Sequence, residues 1–95
     1  MSLIHEPEIA IAERKELIAR YIVLDPHHDG IARYRLRESA ISVWVLVAYY
    51  EAVAHDPGRV AADYDIPAEH VRAALAFYRE HTDAIDAYLS ARRSA

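Results

Sequence analysis

ISVWVLVAYYEAVAHDPGRVAADYDIPAEHVRAALAFYREH, residues 41–81, is the stretch whose reading decides the fold. Its first part, Ile41 to His55, is strongly apolar. Ile41, Val43, Val45 and Val47 alternate and would also suit a strand. The unbroken length of the run and its alanine-rich end favour a helix. Ser39 or Ser42 is placed to cap it. Trp44, Leu46, Val47, Tyr50 and Val53 are expected mostly inside, with Tyr49 and Glu51 nearer the surface. Asp56-Pro57-Gly58 is a turn, followed by a short helix over Arg59–Asp63 and a second turn at Tyr64-Asp65-Ile66. Pro67 suits a first helical position, and Glu69 adds an acid where the helix dipole favours one. In the helix that follows, Val71, Ala74, Leu75 and Tyr78 share one face. Glu69, His70, Arg72, Ala73, Ala76, Arg79 and Glu80 fall opposite. Three helices joined by two tight turns predict a trihelical, helix-turn-helix-like unit over residues 39–81.

On the N-terminal side, residues 1–20 read as a helix or arm, helical over 3–20. Acids (Glu6, Glu8) precede bases (Arg14, Lys15, Arg20), as the helix dipole prefers. Ile4, Ile11 and Ile18 recur every seven residues, with Ala10 and Leu17 beside them, and make a narrow apolar stripe. That stripe either packs on the chain's own core or serves dimerisation. Residues 21–37 suggest a β-hairpin. Tyr21-Ile22-Val23-Leu24 is rich in β-branched residues and stops at Asp25-Pro26. His27-His28-Asp29-Gly30 makes a turn. Its two adjacent histidines lack the spacing of metal ligands, and solvated turn histidines are the simpler reading. Ile31 to Arg37 alternates with period two, so Arg33, Arg35 and Arg37 fall on one face of a strand, with Ala32, Tyr34 and Leu36 on the other. On the C-terminal side, residues 82–93 form an extra helix. Thr82-Asp83 caps it, Ile85, Tyr88 and Leu89 make its stripe, and Arg92 and Arg93 sit near its end. The expected architecture is therefore one domain, mainly α: a short N-terminal β-hairpin, the trihelical bundle and a C-terminal helix.

The chain has 95 residues, 54% of them apolar. That fraction is high for a domain with so modest a core, so a homodimer or a partner protein would help it. Without cysteine, disulfides and thiolate zinc sites are excluded. The longest apolar run, Ile41 to Tyr50, is about half of the roughly 20 residues a bilayer needs. The N-terminus has no signal-peptide pattern, so a cytoplasmic protein with no membrane partner is expected. There is no glycine-rich phosphate loop, thiol nucleophile or paired-histidine motif, and no enzyme activity or cofactor is expected.

Net charge is −4, where a nucleic-acid binder usually shows a basic excess. Any DNA contact must rest on a local patch. In the helix-turn-helix reading the Pro67–Arg79 helix enters the major groove. It would offer Glu69, His70, Arg72 and Ala73, a weak DNA face. Residues 55–81 hold three arginines against five acids, a net −2. The concentrated positive patch is Arg33, Arg35 and Arg37, with guanidiniums about 6.5–7 Å apart along a strand. It would suit phosphates or a partner's carboxylates, or serve as a charged edge that blocks sheet aggregation. Arg59, His70, Arg72, Arg92 and Arg93 complete the candidate contacts to DNA or a partner.

Ile41-Ser42-Val43-Trp44, then Tyr64-Asp65-Ile66-Pro67 with Val71-x-x-Ala74-Leu75-x-x-Tyr78, then Ile85-Asp86, resemble the bacterial domain of unknown function 433 family. The likeness spans about residues 21–90 and is specific in order and spacing. The departures mark a divergent branch. Glu38-Ser39-Ala40 stands where the family has Gly-Thr-Arg, with Arg35 and Arg37 the nearest arginines. His27-His28-Asp29-Gly30 replaces a glycine-rich approach, and the first 20 residues match nothing in the pattern. The resemblance implies a homeodomain-like trihelical unit with a short β-element used in dimerisation. It further implies an antitoxin of a type II toxin–antitoxin pair that neutralises a PIN-like ribonuclease toxin and represses its own operon through operator DNA. A stand-alone DNA-binding regulator and a small dimeric scaffold are the alternatives.

Overall fold

Residues 6–94 are described by a computed structural model, with side chains from residue 11. The order is α1 (Glu6–Tyr21), β1 (Ile22–Leu24), a 3-10 turn (Gly30–Arg33), β2 (Tyr34–Leu36), α2 (Val43–Ala52), α3 (Pro57–Tyr64), α4 (Ala68–Glu80) and α5 (Thr82–Ser94). The mainly helical architecture with one hairpin is the one the sequence predicts. The strands pair antiparallel, Ile22 with Leu36, Val23 with Arg35 and Leu24 with Tyr34.

Local chemistry sets most boundaries. Helix α3 starts where Asp56 Oδ1 accepts the Arg59 amide at 3.1 Å, with Pro57 at the first turn. It ends on Asp65 in the left-handed region, φ 54°. Helix α2 is shorter than expected. Ala54 and His55 both take positive φ, 57° and 62°, and the helix stops at Ala52. Ser42 occupies its N-cap position without a side-chain cap bond, while Ser39 Oγ accepts the Ile41 amide at 3.3 Å. Pro67, expected at the first helical position, is instead the N-cap of α4, which begins at Ala68.

Helix α4 lies at the centre, packed by α1, α2, α3 and α5. Leu36, Val43, Leu46, Val47, Val60, Val71, Ala74, Phe77 and Ile85 form the core around it. In α2, Leu46 and Val47 are buried as expected, while Trp44, Tyr50 and Val53 are half-buried. Tyr49 and Glu51 are half-buried too. Burial on α4 runs round most of its circumference, with His70, Ala73, Ala76 and Phe77 inside as well. This corrects the expectation of a solvent face containing His70, Ala73 and Ala76. The cause is α1, which lies along that side.

Helix α1 therefore packs on the chain's own core, through the C-terminal part of the expected stripe only. Leu17, Ile18 and Tyr21 are half-buried against the core, whereas Ile11 is 41% exposed. Ile4 lies outside the described residues. Among the described residues no helix is long and apolar enough to cross a membrane.

Candidate functional site

The candidate arginines do not converge on one surface. The expected strand over Ile31–Arg37 is cut short, because Gly30 takes φ +64° and residues 30–33 wind into a 3-10 turn. Only Tyr34–Leu36 pair as strand, with Leu36 fully buried on the inward face. The three guanidiniums then lie in three separate surroundings. Arg33 lies 5.4 Å from the Tyr34 ring centre. Arg35 Nε is 3.9 Å from Asp25 Oδ2, beyond hydrogen-bond reach, and is buried without a hydrogen-bond partner. Arg37 Nε donates to the Arg20 carbonyl at 3.2 Å, satisfying an orphan acceptor at the end of α1. Asp25 also accepts the His27 amide at 2.9 Å and meets His28 Nδ1 at 3.2 Å. The His27 amide leads in holding its carboxyl below the usual range, with His28 and Arg35 adding to it.

The other candidates are engaged in the same way. Arg59 Nε donates to Asp63 at 2.7 Å, one turn along α3. Asp63 also accepts the Tyr49 hydroxyl, and that bond, ahead of Arg59, holds its carboxyl below the ordinary value. Arg93 donates to Glu51 of α2 at 2.8 Å. Arg92 stacks over Trp44 at 4.4 Å, with Tyr88 5.6 Å away. The two C-terminal arginines thus fasten α5 to α2. The seven tyrosines are all half-buried and mostly meet other rings, such as Tyr49 on Tyr64 and Tyr34 on Phe77.

On α4, His70 and Arg72 differ sharply. His70 is 6% exposed, and its ring lies tilted 4.8 Å from the Tyr21 ring. Its Nδ1 has no hydrogen-bond partner, and Nε2 lies 4.0 Å from Glu38, beyond hydrogen-bond reach. Arg72 is exposed but held by two carboxylates, Glu69 at 2.7 Å and Glu13 of α1 at 3.0 Å. The supposed DNA face of α4 is thus partly buried and partly neutralised.

Where α1 crosses α4, the seam is incompletely filled. Glu13, Arg14, Leu17, Arg72, Leu75, Ala76 and Arg79 surround a groove of about 170 Å³. Sequence reasoning missed this place because it requires two helices 60 residues apart to meet. The one available signal was the polar, arginine-bearing side of each helix. Among the described residues, no group of three or more histidines and acids is arranged to hold a metal ion.

Helices α4 and α5 are tied by the Tyr78 hydroxyl, which donates to Asp86 Oδ1 at 2.8 Å. The Asp86 bond, with burial, pushes the phenol up to about 12 from its ordinary 10.0. The protonated form is the one stabilised in the folded chain. Its contribution is therefore complete below pH 10.0 and disappears as pH rises toward about 12. Tyr78→Phe is expected to melt lower than the native chain near neutrality, with the gap closing across that alkaline window. A gap independent of pH up to about 12 would disprove the assignment.

No family model, curated protein or solved structure matches this chain.

Proposed function

We propose that this chain is a protein-binding antitoxin, acting in the cytoplasm as a homodimer that captures and neutralises a PIN-like ribonuclease. The reading rests on the family resemblance of residues 21–90. The observation that favours protein binding over DNA reading is the state of α4. With His70 and Ala73 buried and Arg72 held between Glu13 and Glu69, that helix has little to offer base edges while α1 stays docked. An overall charge of −4 also suits a partner whose surface is basic for RNA.

The test is a titration of the purified chain into a purified PIN-type ribonuclease encoded beside it. Stoichiometric loss of RNA cleavage is the expected result. Undiminished cleavage at large excess overturns the proposal. Sedimentation of the chain alone checks the dimer.

A further inference from the structure

The groove between α1 and α4 combines two features seldom found together on an acidic chain. Three arginines and one glutamate line it, and its floor is apolar: Leu17, Leu75 and Ala76. The arginines are unequally satisfied. Arg72 is bound by Glu13 and Glu69 within hydrogen-bond distance. Arg14 is not: among the described residues its ion-pair partner, Glu80, stands 3.9 Å away, and its buried Nε has no hydrogen-bond partner. Arg79 is exposed and makes no ion pair or side-chain hydrogen bond among the described residues. A guanidinium with no hydrogen-bonded acceptor favours an incoming carboxylate, and the Arg14 side chain is 25% exposed, open to one.

We propose that this groove binds a carboxylate carried on a small apolar body, the carboxylate meeting Arg14 and Arg79 and the body lying on Leu17, Leu75 and Ala76. The size fits: an apolar cavity of about 150 Å³ accepts a benzene ring, and this groove offers about 170 Å³. Guanidinium supplies the planar fork that a carboxylate matches with two parallel bonds. Glu80 is the internal competitor for Arg14. The site does not depend on the antitoxin reading, since it is a property of the purified chain alone.

Sodium benzoate is the probe, followed by amide and arginine Nε–H NMR shifts on the full chain, with ionic strength matched by sodium chloride. Saturable shifts confined to α1 and α4 are expected, with a Kd of about 1 mM, the order for so small a fragment. Benzamide, which lacks the charge, should bind at least about tenfold more weakly, as should Arg79→Gln and Arg14→Gln against benzoate. Glu80→Gln should tighten binding, and Arg33→Gln, outside the groove, should leave it unchanged. Arg79 is exposed, so its variant folds even if the Arg14 variant does not. Shifts that merely follow ionic strength, equal binding of benzamide, or indifference to Arg79→Gln would each overturn the site. Inorganic phosphate binding as tightly as benzoate would overturn the role given to the apolar floor.

Discussion

Phe77→Ala is expected to destabilise the fold by about 3–5 kcal/mol, the range for deleting a buried aromatic ring. Phe77 is 2% exposed. Its ring lies 4.5 Å from Tyr34 of β2 and 4.2 Å from His81 at the end of α4. The side chain therefore joins the hairpin to the central helix, and neither neighbour can swing in to fill the space without leaving its own partner. Against a total stability of about 5–15 kcal/mol for a domain of this kind, the loss takes a large share. Urea unfolding followed by circular dichroism gives the value. A loss below about 1 kcal/mol would mean that the hairpin does not seat on α4 at this point, since such small effects belong to surface positions.

Phe77 also shows where the sequence was hard to read. It lies one position before Tyr78, and the expected inward face of α4 ran through Val71, Ala74, Leu75 and Tyr78. In the folded chain Ala73, Ala76 and Phe77 are buried as well, and so is His70. A helix packed on one flank shows a clean apolar stripe. One packed on several shows a blurred stripe, and alanine hides the difference because it suits either environment. What buried the second flank was α1, whose own stripe had been assigned to Ile4, Ile11 and Ile18. The legible parts were those fixed by neighbouring residues: the short helix after Asp56, though it starts at Pro57 and not at Arg59, the strand ending at Leu24, though Tyr21 belongs to α1, and the α5 stripe. The misread parts all depend on which distant helix lies alongside.

The same limit applies to the arginines. Period-two spacing correctly placed Leu36 inward, but it could not show that Gly30 would turn residues 30–33 into a 3-10 segment. Nor could composition reveal that Arg59, Arg72 and Arg93 would each find a carboxylate within 3.0 Å in their own chain. Counting cations identified candidates for a binding surface. Pairing them in space removed much of that surface and brought Arg14 and Arg79, which had not been candidates, together beside one groove, where Arg14 Nε, like Arg35 Nε, has no hydrogen-bond partner.

Ile85→Ala and Ile11→Ala are expected to differ by most of the cost of a buried isoleucine. Both residues lie on apolar stripes read from sequence, yet Ile85 is 0% exposed and Ile11 is 41% exposed. Ile85 anchors the first turn of α5 in the core, beneath the Tyr78–Asp86 tie and ahead of Leu89. Its truncation should cost about 2–5 kcal/mol and leave α5 held by the Tyr78–Asp86 tie, Leu89, Arg93 on Glu51, and Arg92 and Tyr88 on Trp44. With its most deeply buried side chain gone, α5 should show a larger rise in amide exchange than the other helices. Ile11→Ala acts at an exposed position outside the core cluster and should cost far less, about 0.5 kcal/mol. Parallel urea titrations separate the two. Equal losses would mean that the Ile11 face of α1 is covered in solution, as a dimer formed through that helix would cover it. In that case the Ile11 loss should grow with protein concentration, whereas the Ile85 loss reflects packing within one chain.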